Sequence, residues 1–323
     1  MKSIIDPYKT IGIIGLAKNT GKTTSLNAIL SFYQSIPIAI TSIGLDGEDY
    51  DQVNYLPKPK IRITKNMIVA TAKKCLDAVD TPYETIETTN LKTALGVIKI
   101  VRFKAETHVV VAGPTTNKDL NTLINTLKKF ADKIFIDGAF NRKTFANIEH
   151  IDAIVLATGA NVASSMEETI EVTKRIDEHF KFERVKGFNP IAKIMLQTEK
   201  KDLYIPHKNI EDFSRVLERL DTPLKALYIE GAITENFINK LLKSNEKNYH
   251  LIIDDPTKII AKPKTLDYLK KYGVNISVRK TIPLIAITIN PTQPSGENYS
   301  SSQFLTEIKK AIDTPIFDVM RME

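Results

Sequence analysis

Along the chain, short runs of β-branched and aliphatic residues alternate with stretches whose apolar positions recur every three or four residues. Repeated strand-then-helix units predict a mostly parallel sheet covered by helices, because parallel neighbours need a crossover connection. The first run is residues 11–14. A helix follows over about 22–33, with Leu26, Ile29, Leu30 and Tyr33 on one face. A short strand at 37–42 ends in the acidic turn 46–49. Between 55 and 93 the pattern predicts two helices, near 68–78 and 91–96, joined by a polar loop. Strands follow at 97–103 and 108–111, read as candidate neighbours, then an amphipathic helix at 120–130. Strands at 133–136 and 153–156 lead to a helix at 166–180, for which Ser164 or Ser165 is available as the cap.

A boundary is expected between 187 and 202. It divides the chain into a first domain, 1–190, and a smaller α/β domain, 200–323. The second holds strands at 226–229, 250–253, 274–278 and 284–289, and helices at 235–242, 264–272 and 303–312. The expected fold class is therefore α/β, a doubly wound, mostly parallel sheet with a second, smaller α/β domain. No repeat of solenoid period appears, and 290–302 (NPTQPSGENYSSS) is the most loop-like stretch.

Composition narrows the class. The chain of 323 residues is 42% hydrophobic and 26% charged, as an ordinary globular protein is. The opening MKSIIDPYKT lacks an apolar core of signal-peptide length. No apolar run approaches the roughly 20 residues of a membrane helix. Cys75 is the one cysteine, which excludes an intrachain disulfide and fits a reducing compartment. The expectation is a cytoplasmic protein that does not bind membranes. A net charge of +7 and a pI of about 9.1 raise the question of nucleic acid. The charge is mostly lysine, scattered among Asp and Glu, without an arginine-rich or aromatic-basic cluster, so a solvated surface is preferred to a nucleic-acid site.

The candidate chemistry begins at Gly15-Leu-Ala-Lys-Asn-Thr-Gly21-Lys22-Thr23-Thr24, after a β-branched strand and opening a helix. In that context backbone N–H groups and a helix N-terminus face phosphate oxygens. Gly21 admits close backbone approach, Lys22 would neutralise the β- and γ-phosphates, and Thr23 would place its hydroxyl on Mg²⁺. Gly15, Lys18, Asn19, Thr20, Gly21, Lys22, Thr23 and Thr24 are the candidate nucleotide contacts. The usual phosphate-loop spacing is G-x4-GK[ST]; here it is G-x5-GKT, with Leu16 where the first glycine normally falls.

A magnesium–nucleotide site also needs carboxylates. Asp137 ends the strand-like KIFID and precedes the small Gly138 and Ala139, so it is a candidate metal ligand; a strand-end turn is the plain alternative. Asp46, in TSIGLDGE, is the first candidate for a second acid at the metal or the attacking water, and Glu48 the second. Asn161, after the strand at 153–156, could contact the base. Arg142 and Lys143 suit phosphate, a partner or a solvated loop equally. Thr116-Asn-Lys-Asp119 resembles the guanine-reading N-K-x-D, but its aspartate is one position early. It reads as a helix start capped by Thr115 or Thr116, so ATP is preferred to GTP. The five histidines have no metal-ligand spacing, and Cys75 reads as core.

The segments IGIIGLAKNTGKTT, TSIGLDGE, KIFIDGAFNRK and DAIVLATGANV resemble the dethiobiotin synthetase and MinD-like class of P-loop proteins over the first ~165 residues. MinD-type ATPases carry a further lysine five places before the loop lysine; that place is Ala17 here, and Lys18 is one off. With ITINPTQPSG included, the whole chain is similar to the ATP-binding accessory subunit that reactivates lysine 5,6-aminomutase, a cobalamin- and pyridoxal-phosphate-dependent enzyme. The resemblance implies ATP and Mg²⁺ as cofactors and catalytic roles for Lys22 and Asp46. It also implies metal contacts from Thr23, Asp46 and Asp137, and an aminomutase as protein partner, with a homodimer as one arrangement the class allows. Three functions stay open: an ATPase acting as a reactivating factor on a protein partner, a small-molecule ligase or kinase of dethiobiotin synthetase type, and an NTP-binding switch. The carboxyl-terminal ~125 residues, absent from a minimal dethiobiotin synthetase, favour the first.

Overall fold

A computed structural model of the chain describes residues 1–43, 60–138, 150–205, 210–244, 246–293 and 296–321. Asp46 and Glu48, and likewise Arg142 and Lys143, lie outside the described residues. The chain forms two units, Met1–Thr173 with Pro283–Glu323, and Lys174–Ile282.

The first unit begins with α1 (Lys2–Ile5), β1 (Thr10–Gly15), α2 (Lys22–Leu30), β2 (Ile38–Ser42), β3 (Ile61–Ile63), β4 (Ile68–Ala72) and α3 (Lys73–Asp77). It continues with β5 (Tyr83–Thr93), β6 (Gly96–Phe103), β7 (Thr107–Val109), α4 (Asn117–Leu127), β8 (Lys133–Asp137) and β9 (Ala153–Gly159). Helix α5 (Met166–Phe180) leads into the second unit, which holds β10 (Ile194–Thr198), β11 (Asp202–Ile205), α6 (Ile210–Glu218) and β12 (Leu224–Ile229). There follow α7 (Glu235–Lys243), β13 (His250–Ile253), α8 (Pro263–Lys271) and β14 (Asn275–Val278). The chain then re-enters the first unit as β15 (Leu284–Asn290), α9 (Ser301–Ala311) and β16 (Ile316–Phe317).

The large sheet has nine strands in the order β16-β15-β9-β1-β8-β2-β4-β6-β5. Neighbours from β16 to β4 are parallel, and the β6–β5 hairpin adds an antiparallel edge. This is the mixed α/β, mostly parallel sheet that the pattern predicts. β1 lies between β8 and β9, and all six of its residues are buried. A central parallel strand is covered on both faces, which is why TIGIIG is apolar without alternation. Leu26, Ile29 and Leu30 of α2 share one core with Ile11, Ile13, Ile40 and Phe135. Burying each such side chain contributes roughly 1.5–3 kcal/mol, and this holds α2 against the sheet. The second unit has its own five-stranded sheet, β11-β10-β12-β13-β14, with β12, β13 and β14 parallel and its own apolar core.

The structure corrects several expectations. Residues 283–323 belong to the first unit, not to a domain spanning 200–323. LIAITIN is apolar on both faces, and that suits a strand laid parallel beside β9. Residues 68–72 form β4 rather than the start of a helix: Ile-Val-Ala-Thr-Ala is buried at every position, and α3 begins only at Lys73. The expected helix at 91–96 is the end of β5 and its turn into β6. β6 and β7 are not neighbours: β7 pairs with β3 in a separate two-stranded sheet. β10, β11 and α6 were not expected from the pattern; β10 and β11 are short and partly polar, so no long apolar run marks them.

Candidate functional site

The carboxyl ends of β1, β8, β9, β15 and β2 carry Gly15, Asp137, Gly159, Asn290 and Ser42. Register places them side by side: Gly15 against Ala157, Asn290 against Gly159, and Ser42 against Asp137. Ligands of open α/β sheets bind at such ends, because the loops leaving them are free to diverge from the packed layers.

The loop between β1 and α2 leaves the sheet by one backbone bond, Leu16 N–H to Ala157 O at 3.0 Å. Thr20 is buried, and its hydroxyl donates to Ala17 O at 3.0 Å. Asn19 (φ 59°) and Gly21 (φ 79°) are left-handed. The conformation favours glycine at 21, and a Cβ there would also crowd the Asn290 Cβ at 3.0 Å. Helix α2 starts at Lys22 with Gly21 as its N-cap and no side-chain capping bond. Its first N–H groups are thus presented at the mouth of the loop without a side-chain acceptor. Behind the loop, Ser25 donates its hydroxyl to Gly21 O at 2.9 Å and lies 2.7 Å from the Thr288 hydroxyl of β15.

Lys22 Nζ lies 2.9 Å from Asp137 Oδ1, the two side chains being 26% and 17% exposed. The pair is at ion-pair distance but not aligned as a hydrogen bond, and among the described residues that buried oxygen has no hydrogen-bond partner. A partly desolvated carboxylate oxygen held by Coulomb attraction alone is free to exchange one cation for another. Thr23 is half-buried beside Lys22, while Lys18, Asn19 and Thr24 are exposed. Asn161 is half-buried and its amide donates to Lys18 O at 3.4 Å. The structure therefore brings the loop, Asp137 and Asn161 to one edge of the sheet.

Sequence reasoning did not single out three contributors. Asn290 donates to Asn19 O at 2.8 Å. Thr288 backs Ser25, and Ser42 receives Gly113 N–H at 2.9 Å. Each reaches the site through strand order, which no local spacing encodes. The Thr116 cap is present, accepting Asp119 N–H at 3.1 Å.

A second concentration of charge lies at the carboxyl ends of β12, β13 and β14. Asp254 accepts from the Tyr228 hydroxyl at 2.8 Å, from Arg279 Nε at 3.0 Å and from Gly231 N–H at 3.3 Å. Burial pushes the Asp255 carboxyl up and the Lys258 amine down. The contacts of Asp254 are internal, and they tie three strand ends together as a brace. Two clefts, of about 600 and 300 Å³, are lined by Asp221, Glu246 and Lys247 in one case and by Tyr33, Met67 and Arg102 in the other. None of the loop residues lines either. Among the described residues no helix is long and apolar enough to cross a membrane.

No protein-family model, curated protein or solved structure matches the chain.

Proposed function

We propose that the chain binds Mg·ATP at residues 15–24 and hydrolyses it to drive a reactivating step on a protein partner, which the sequence resemblance names as a cobalamin-dependent aminomutase. The observation that carries the nucleotide reading is the Lys22–Asp137 pair at 2.9 Å, set where a glycine-capped helix leaves a left-handed turn. A lysine, an acid one strand away and a helix N-terminus without a side-chain capping bond are the parts that phosphate and a divalent cation require. Lys22 would hold the β- and γ-phosphates, and the N–H groups of Gly21, Lys22 and Thr23 the remaining oxygens. Asp137 fits a place in the Mg²⁺ shell because its buried Oδ1 has no hydrogen-bond partner among the described residues. Thr23 would add its hydroxyl. An ion held there would supply charge neutralisation for the phosphoryl oxygens. Asp46 is proposed as the acid that orients the attacking water.

The second unit is an insertion that begins within α5 and ends just before β15, and the chain completes the first sheet only after it. A folded insertion with its own core supports a role beyond nucleotide binding, and a partner surface is the role proposed for it. Phosphate release decides between this reading and a small-molecule ligase. It is measured with ATP alone, with candidate partner enzymes and with small carboxylic acids. Hydrolysis stimulated by a partner enzyme is expected; stoichiometric turnover of a small acid would sink the reactivase reading and leave the ATP site standing.

A further inference from the structure

We propose that Asn290 is the positioning residue of the phosphate loop, its side-chain amide holding the left-handed turn at Asn19 in the shape that receives phosphate. The inference rests on the nucleotide reading above and deepens it with a residue remote from the loop in sequence.

Asn290 ends β15, the strand by which the chain returns from the inserted unit. Its Nδ2 donates to Asn19 O at 2.8 Å. Its Oδ1 accepts from Thr292 N–H at 3.2 Å and from the Thr292 hydroxyl at 2.8 Å. The backbone N–H of Thr292 is an obligatory donor, so the oxygen must face it and the NH₂ must face the loop. The main chain of Asn290 is held as firmly. Ala160 N–H donates to Asn290 O at 3.0 Å. A Cβ on Gly159 would fall 2.2 Å from that carbonyl, so only glycine lets the two strands close there.

Asn290 thus touches the loop on both sides of Thr20, at the Asn19 carbonyl and against Gly21. Asn19 at φ 59° is left-handed, a region that asparagine enters more readily than other non-glycine residues, so the contacts it makes select this turn among the conformers open to it. In a turn of alternating hand, successive N–H groups collect on one side and form an anion-binding concavity. Fixing the Asn19 carbonyl therefore fixes which side the N–H groups serve, and keeps a second acceptor from turning toward a phosphate. The preceding carbonyl, Lys18 O, receives the longer bond from Asn161 at 3.4 Å. Two consecutive loop carbonyls are held by amides at or just past the ends of adjacent strands, β15 and β9, and Asn290 makes the shorter contact.

The test uses the full chain and four forms: wild type, Asn290→Ala, Thr292→Val and Lys22→Ala. Calorimetry with Mg²⁺ reads the affinity for ATP and for tripolyphosphate, which carries the phosphates without the base. Hydrogen exchange reads the amides of residues 17–21 without any ligand. Asn290→Ala is expected to weaken ATP and tripolyphosphate alike by about five- to tenfold, the value of one hydrogen bond. It is also expected to speed exchange in the loop at an unchanged unfolding midpoint. Thr292→Val, on an exposed residue, is expected to do the same to a smaller extent, and it stands in if Asn290→Ala lowers the yield of folded protein. Unchanged affinities and exchange in both variants overturn the proposal. So does weaker ATP with unchanged tripolyphosphate, which would make Asn290 a base contact. A wild type that binds neither ligand, or a Lys22→Ala form that binds both normally, overturns the nucleotide reading itself. Binding lost in Lys22→Ala but kept in Asn290→Ala overturns the positioning role alone.

Discussion

Lys22 and Asp137 are counter-charges to one another at 2.9 Å, one on the first turn of α2 and one at the end of β8. A polyphosphate is a stronger competitor for an ammonium than one carboxylate, so nucleotide is expected to draw Lys22 and leave Asp137 to the metal. Lys22→Ala is accordingly expected to lower Mg·ATP affinity by roughly ten- to hundredfold, the worth of charge-assisted hydrogen bonds, with the fold kept because the side chain lies outside the core. Calorimetry with an unfolding curve alongside checks both halves. Asp137→Asn is expected to raise the Mg²⁺ concentration needed for binding more than it weakens ATP itself; identical Mg²⁺ titrations would count against a metal role. A third expectation concerns His179, on α5. Burial, then the nearby Lys270 charge, lowers its pKa from 6.5 to about 4, and its Nδ1 has no hydrogen-bond partner among the described residues. Between those two values the unfolded chain binds the proton that the folded chain refuses, so stability falls as pH drops through this window. The loss is up to about 3 kcal/mol once the pH is below both values. His179→Leu is expected to flatten that part of the urea-midpoint profile between pH 7 and 4.

At the scale of elements, legibility followed how local each signal was. The strand and helix flanking 15–24, Asp137 at a strand end and the whole of α5 were readable, because each combines an apolar run with a capping or turn residue. The segment 68–78 was not, since Ile68, Val69, Ala72, Cys75 and Leu76 satisfy a helical spacing as well as a strand followed by a turn of helix. Burial on both faces of β4 decided it, and burial is a property of the sheet. β5 was missed for the opposite reason: YETIETTNLKT has little apolar content because it is an exposed edge. Asn290 was legible only as the start of a loop, since its contact with Asn19 depends on β15 lying next to β9. Where a local signal and the structure agree, the energetic consequence is simple. Thr116 caps α4 through the Asp119 N–H at 3.1 Å, so Thr116→Ala is expected to cost about 1 kcal/mol in denaturant unfolding, while Thr115→Ala should cost little.

For the whole molecule, the order of segments in the chain and the order of strands in the sheet diverge, and this is what the sequence-level division at 187–202 could not contain. The first unit is discontinuous: β15 and β16 complete it only after the 174–282 insertion has been made. A chain ending at residue 190 would lack the strand that pairs with β9 over residues 284–290. It would leave the buried backbone edge of β9 without its ladder, and such an edge pairs with other chains unless it is covered. It would also lack Thr288 behind Ser25 and Asn290 on the loop. A first domain of 1–190 that folded alone would give soluble protein with a cooperative transition and ATP binding near that of the full chain. The discontinuous unit instead implies that the 1–190 fragment aggregates or stays partly folded, and that adding back 283–323 through a short linker after residue 173 restores solubility. Sedimentation and thermal melts of the two forms separate these outcomes. Recovery of ATP binding with the linked form, and its loss in the same form carrying Lys22→Ala, would tie the restored fold to the proposed site at residues 15–24.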